Sequence, residues 1–442
     1  MAYISGEARE QVTMFPVTLD EFIPANHACR VIEAFVDGLP MEELGFVRSE
    51  PAATGRPGYD PRDLLKLYLY GYMNQLRSSR RLEAECQRNV EVMWLLERLQ
   101  PDHKSIAEFR RMHREAVKEA GAELVRLARA AGLVRGEWVA IDGSKFRAVS
   151  SGERVKEREA LERYLQEMEA ADAQEDVVID HSAMQAALEK LRQHPELEAR
   201  FMRTREGNRP AYNVQAAVDS ECGIIVAQEV TTEASDNRSL LPMAQAAQQA
   251  VGAAERLHVV ADAGYSNGEQ AEACEAEGIE PHVPANRGVN SQGNGTLFAA
   301  TEFVYDEKTD TFRCPAQQTL QRRQVQRDRK RVLYQAGAEV CGACPLKPRC
   351  TNSKQRYVYR HRHEGALQRM QQRATAEAMR LRRCVVERVF AMLKYGIFGH
   401  PRFWLRGRGG AQTEISLATL VYNLKRMMSV LGAGVARAVL AA

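Results

Sequence analysis

The sequence predicts an α/β fold, a mixed-direction sheet flanked by helices, with an all-α segment ahead of it and a cysteine-containing insert late in the chain. Three observations carry this. Apolar residues recur at helical spacing up to about residue 135. From Glu137 the pattern becomes short apolar runs separated by turn residues and short helices. A polar Gly/Asn linker, PANRGVNSQGNG, then opens a segment rich in Cys and Arg before helical periodicity returns.

The elements follow in order. DPRDLLKLYLYGYMNQL starts a helix at Asp60-Pro61. SSRRLEAECQRN and EVMWLLERLQ read as short helices. DHKSIAEFRRMHREAVKEAGAELVRLARAAG reads as one long amphipathic helix, opened by a Ser105/Glu108 capping box. With Arg77, Arg80 and Arg81 among them, these helices suit a DNA-binding bundle and equally a plain helical domain. WVAIDGSKF is the first strand, and residues 151–200 are a charged helical insert. AYNVQAAVDS and GIIVAQEVTT form two strands about the turn at Ser220–Gly223. Ser235, Asp236 and Asn237 offer N-caps to SLLPMAQAAQQAVGAA. RLHVVADAG is another strand, Ser266-Asn267-Gly268-Glu269 a second capping box, and IEPHVPA a last short strand. The late helix RLRRCVVERVFAMLKYG is expected to stop at Gly396, and a Gly/Arg loop leads to the final helix TEISLATLVYNLKRMMSVL. The order β, insert, β-β, α, β, α, β implies a mixed sheet. The domains are read as 1–135, 136–285 (with the insert 151–200), 286–375 and 376–442.

The net charge of +3 conceals an asymmetry. Between Arg313 and Arg408 stand 23 Lys plus Arg against 5 Asp plus Glu, a net of +18, which leaves −15 for the rest. A basic segment on an acidic protein is the footprint of polyanion binding. The start MAYISGEARE lacks the basic and apolar regions of a signal peptide, and no stretch is long enough for a membrane span, so the reading is cytoplasmic, with no membrane partner.

Nine cysteines in such a chain are expected to be reduced. Cys29, Cys86, Cys222, Cys274 and Cys384 read as packing residues. Cys314, Cys341, Cys344 and Cys350 follow C-x26-C-x2-C-x5-C. Such a set suits a structural Zn²⁺ site, an iron–sulfur cluster or unligated packing, with His361 and His363 as substitute ligands.

Asp142 and Asp262 each end an apolar run, and Glu387 lies on the basic late helix. Carboxylates at strand ends are rigidly directed hard ligands that suit Mg²⁺ or Mn²⁺. Judged singly, each Asp reads first as a turn or cap residue, and Glu387 as half of a surface Arg–Glu pair. Arg383, Glu387 and Lys394 fall on one helical face at 100° per residue, with Arg380 beside them. Phe403 and Trp404 lie in the Gly/Arg loop, where an aromatic can stack on an unpaired base or anchor the loop.

In this combination the chain resembles the bacterial insertion-sequence DDE transposases with a ribonuclease H-like catalytic core. IDGSKF resembles the first-Asp strand. YNVQAAVD, GIIVAQEVTTEASD and VVADAGYSN resemble the blocks up to the second Asp, and RRCVVERVFAMLKYG with NLKR resembles the Glu helix. The family signature Tyr-x2-Arg-x3-Glu-x6-Lys is met at Arg383, Glu387 and Lys394, with Arg380 in place of Tyr. The resemblance implies Asp142, Asp262 and Glu387 as ligands of two Mg²⁺ or Mn²⁺ ions. It also implies DNA contacts by Arg380, Arg383 and Lys394, and a homodimer assembled on terminal inverted repeats and target DNA; the basic run of the insert adds Arg329, Lys330 and Arg331 as DNA contacts, and the Gly/Arg loop adds Trp404. A ribonuclease H-like nuclease or resolvase, or a non-catalytic DNA-binding derivative, are the alternatives.

Overall fold

The computed structural model describes residues 18–47, 58–172, 181–194, 198–252, 256–285, 297–299, 302–325 and 331–441. Most of the Gly/Asn linker, and Arg329 and Lys330, lie outside these residues.

The chain opens with α1 (Ala28–Asp37), α2 (Pro61–Met73), α3 (Ser79–Arg88), α4 (Val90–Leu95), α5 (His103–Met112) and α6 (Arg114–Ala130). Asp60 caps α2, accepting from the Arg62 amide at 2.8 Å, with Pro61 at the first helical position. The long helix read from sequence is two helices. Its cap is Asp102, which accepts from the Lys104 and Ser105 amides, while Glu108 pairs with Arg111 instead of closing a capping box. The break falls at His113, whose buried ring packs 4.6 Å from Phe109 and 5.4 Å from Phe46 and bonds the Phe109 and Val47 carbonyls. Burial of that ring outweighs one interrupted helical turn, a gain that periodicity does not show.

Next come β1 (Trp138–Arg147), α7 (Gly152–Asp172), α8 (His181–Arg192), β2 (Arg200–Thr204), β3 (Gly207–Asp219), β4 (Ile225–Thr231), α9 (Leu240–Val251), β5 (Leu257–Val260), α10 (Gly268–Ala276) and β6 (Ile279–His282). β3 is buried from Pro210 to Asp219 and forms the middle of the sheet. β1 pairs with it antiparallel, with Asp142 opposite Ala216. β5 joins β1 in parallel and β6 joins β5 in parallel. On its other edge β3 pairs with β4 and, further along, with β2, a strand hidden in the charged stretch before Gly207. Asn267, not Ser266, caps α10. Asp236 does not cap α9, whose N-cap residue is Ser239 and has no side-chain capping bond.

The insert forms a second sheet of antiparallel strands in the order β11-β10-β9-β8-β7: β7 (Val304–Asp306), β8 (Thr311–Arg313), β9 (Thr319–Val325), β10 (Arg331–Gln335) and β11 (Tyr357–His361). The short helices α11 (Ala338–Gly342) and α12 (Lys347–Cys350) interrupt it. It has its own small core of Phe298, Phe303, Phe312, Leu320, Tyr334 and Val358. In β9 only Leu320 is buried, so no apolar alternation advertises the strand.

The chain returns through α13 (Glu364–Arg373), α14 (Ala376–Ala391), α15 (Gly407–Leu431) and α16 (Ala433–Leu440). Gly396 does not stop the late helix. Beyond Ala391 it widens into a π-helical turn, Met392–Ile397, that runs through Gly396. α15 is buried almost all round from Gly410 to Leu424. Its amides complete the exposed edge of β4. Asn423 bonds both Ile225 backbone groups at 2.9 Å, and Gln412 accepts from the Val230 amide at 2.8 Å. One contiguous core joins α1–α6, the first sheet and α14–α16. Among the described residues no helix is long and apolar enough to cross a membrane.

A candidate active site around two aspartates

Val139, Ala140 and Ile141 anchor β1 in the core, and Asp142 emerges next to them, half-buried. Asp262 stands two residues beyond β5, the parallel neighbour of β1. Its Oδ1 accepts from the Gly264 amide at 2.7 Å and so sets the direction of the carboxylate. The two acids meet on one cation that the sequence reading did not single out. Arg382 Nη2 of α14 lies 2.9 Å from Asp142 Oδ1 and 3.6 Å from Asp262 Oδ2. Burial pushes the Asp142 carboxyl above its ordinary range. Arg382 pulls it down, and the Asp262 charge adds to the rise. The signal for Arg382 was present in the sequence. It stands four, seven and eleven residues before Val386, Val389 and Leu393, the buried stripe of its helix. A cation on a core-facing stripe needs a buried partner.

A polar network lies beside the pair. Asp236 Oδ1 accepts from Asn213 at 2.6 Å and Gln215 at 2.7 Å, and pairs with Lys145 at 3.3 Å. Tyr265 donates to Gln215. The Tyr265 hydroxyl is held well above its ordinary range by burial and then by the charges of Asp236, Asp142 and Asp262. Gly143 is a strand residue, not a turn. A Cβ there would fall 2.4 Å from Gln215 Nε2 and 2.5 Å from Asp236 Oδ1. The Asp-Gly pair is thus explained by close packing of this network on the backbone.

Glu387 is exposed and makes no hydrogen bond or ion pair among the described residues. At 100° per residue it lies about 140° round α14 from Arg382. The helix therefore presents Arg382, not Glu387, to the aspartates, and the three carboxylates do not converge within 4.8 Å. Lys394 is half-buried over the Phe146 ring at 5.4 Å, with its ammonium pushed below its ordinary range chiefly by burial. Because it sits in the π-helical turn, the 100° spacing that aligned it with Glu387 no longer applies. Arg380 and Arg383 are exposed on α14, and Arg331 is exposed at the start of β10.

Phe403 is buried against Phe146 and Phe398 and anchors the Gly/Arg loop. Trp404 is 45% exposed, with the Arg77 guanidinium 4.7 Å from its ring. Arg77 itself is buried on Glu414 at 2.9 Å, so it is not available to DNA. Cys314, Cys341, Cys344 and Cys350 line one apolar pocket, and the Gln318 amide donates to Cys314 Sγ at 3.3 Å. No three of these sulfurs lie within 4.8 Å of one another. His361 and His363 are not substitute ligands. His363 pairs with Glu272 of α10 at 2.5 Å, and neither histidine lines the cysteine pocket.

Residues 17–112 match the family model described as a transposase domain (DUF772), and residues 139–424 match the transposase DDE domain. No curated protein matches. Among solved structures, the chain is similar to the cryo-EM structure of a piggyBac transposase synaptic complex with hairpin DNA, at 8% identity and a TM-score of 0.33, over 94% of this chain and 79% of that one. The DDE domain match spans well over half of the sequence and includes Asp142, Asp262 and Glu387, and the chain belongs to the DDE transposases of insertion sequences.

Proposed function

We propose that the protein binds the terminal inverted repeats of its element, cleaves there, and joins the ends to target DNA by divalent-metal chemistry. The observation that carries this is the convergence of Asp142 and Asp262, from adjacent parallel strands, on a single positive charge. The strand order β4-β3-β1-β5-β6, antiparallel on one side of β1 and parallel on the other, supports a ribonuclease H-like core.

The donor set fits Mg²⁺ or Mn²⁺. Two hard carboxylates already share one cation, and burial of Asp142 disfavours its charge unless a cation is near. Two such ions, when bound, would activate water or a 3′-hydroxyl and stabilise the leaving oxygen. Asp142 and Asp262 would hold them. Glu387 would join as the third ligand once Arg382 leaves the pair and α14 turns to bring Glu387 round to the aspartates, with DNA phosphate as the competing partner for the Arg382 guanidinium. Arg380, Arg383 and Lys394, with Arg329, Lys330 and Arg331 of the insert, would track the phosphate backbone. Trp404 would stack at the DNA end. The four cysteines would close on Zn²⁺ and staple the insert, and assembly on DNA would be as a homodimer.

The test is cleavage and strand transfer on a duplex carrying the terminal repeat, with Mg²⁺ or Mn²⁺. Asp142→Asn, Asp262→Asn and Glu387→Gln are each expected to lose on the order of 10³-fold or more, the scale of groups that act mainly in the transition state. DNA affinity should stay within a few-fold. A Glu387→Gln enzyme that transfers strands at the parent rate would refute the assignment.

A further inference from the structure

A second constellation lies on the parallel strands β5 and β6, between His258 near the start of β5 and His282 at the end of β6. His258 of β5 stands in register with Glu280 of β6, and His282 lies two residues further along the same face. His258 Nδ1 is 3.2 Å from His282 Nε2 and 3.3 Å from Glu280 Oε2. The three ligand atoms all lie within 4.8 Å of one another.

The outer contacts of each residue aim these atoms inward. His282 Nδ1 faces the Arg373 carbonyl at 2.9 Å, so in the neutral ring that nitrogen carries the hydrogen and Nε2 presents its lone pair. Arg256 holds Glu280 Oε1 at 2.9 Å, leaving Oε2 for His258. Trp138 stacks on His258 with ring centroids 4.5 Å apart. His258 Nδ1 is thus the corner of a triangle whose other corners are both acceptors, and its single hydrogen can serve one of them well. A metal satisfies all three. Ligands at roughly 2.0–2.1 Å in tetrahedral array stand about 3.3 Å apart, which matches both measured edges.

We propose that His258, Glu280 and His282 bind a divalent transition metal of the Zn²⁺ class, through His258 Nδ1, His282 Nε2 and Glu280 Oε2, with the fourth position open to water. The two more exposed ligands, His258 and Glu280, show 28% and 24% side-chain exposure, enough for the ion to enter. A backbone carbonyl orienting a ligating histidine is the usual outer support of such a site. The ion would clamp β5 to β6 and, through Arg373, to the end of α13. It would so stiffen the strand that leads to Asp262.

The test uses the full-length chain, reduced, with saturating Mg²⁺ to occupy the hard carboxylate site. Co²⁺ is titrated as an optical probe, and Zn²⁺ content is measured after dialysis. The expected result is one equivalent with the visible spectrum of nitrogen and oxygen ligation, distinct from the near-ultraviolet charge-transfer bands of cysteine thiolates. Glu280→Gln and His258→Asn should weaken that equivalent at least ~10-fold, and Glu272→Gln should leave it unchanged. Melting in excess chelator checks the fold. Glu280→Gln keeps an acceptor for Arg256 and is the deciding variant. Equal Co²⁺ affinity and stoichiometry in parent and Glu280→Gln, or Co²⁺ bound only with thiolate bands, would overturn the proposal. Neither readout depends on DNA.

Discussion

Arg382 is the residue on which the candidate active site turns. Its guanidinium sits where a divalent cation would have to lie to touch both Asp142 and Asp262. It therefore competes with metal for the same oxygens. Arg382→Ala is expected to raise Mn²⁺ affinity of the DNA-free protein about tenfold, equivalent to about 1.4 kcal/mol, as read by electron paramagnetic resonance of bound Mn²⁺. Unchanged affinity would show that the guanidinium does not guard the site. Gly143 makes a second residue-scale prediction. Gly143→Ala forces Gln215 and Asp236 aside and should reduce strand transfer while far-ultraviolet circular dichroism stays the same.

At the scale of elements, the loop between the π-helical turn and α15 is held from beneath by one buried acid. Glu414 accepts from the Trp404 and Leu405 amides at 2.7 Å and from Arg77 at 2.9 Å. Removing it leaves Arg77 buried without its partner. Glu414→Ala is expected to cost about 3–5 kcal/mol in denaturant unfolding, and to change Trp404 fluorescence as the loop detaches. In α2, burial lifts the Asp63 carboxyl from 3.8 to about 6. Because the folded value is the higher one, Asp63 adds stability below pH 3.8, and this is lost as pH rises through about 6. Asp63→Asn should therefore melt higher than the parent above pH 6, with the difference closing as pH falls toward 4.

Over the whole molecule, tertiary contacts redistribute the charge of the basic segment. Arg369 and Arg373 are spent on Glu275, Arg322 on Asp310, Arg408 on Glu229 and Arg382 on the aspartates. Arg380 and Arg383 keep exposed charges on α14. If they contact phosphates, the double change to Ala should flatten the slope of log affinity against log salt by about 2 and weaken binding to all sequences alike. A slope equal to that of the parent would place the DNA elsewhere.

Much of this was legible in the residues. The strands bearing Asp142 and Asp262 were readable because buried strands are continuous apolar runs, and the Asp60-Pro61 helix start because capping chemistry is local. The family resemblance rested on the same local blocks. The break at His113, the hidden strand β2 and the small sheet of the insert were not readable, since each depends on what a residue packs against across the chain. The sequence by itself determined the order of elements and the kinds of ligand they carry. Only the tertiary structure decided that α14 turns Arg382 rather than Glu387 toward the aspartates, that Asp236 serves Asn213 and Gln215 instead of capping a helix, and that His258, Glu280 and His282 meet. Side-chain direction across a packed interface follows from helix rotation and sheet register, and neither is encoded within any one segment.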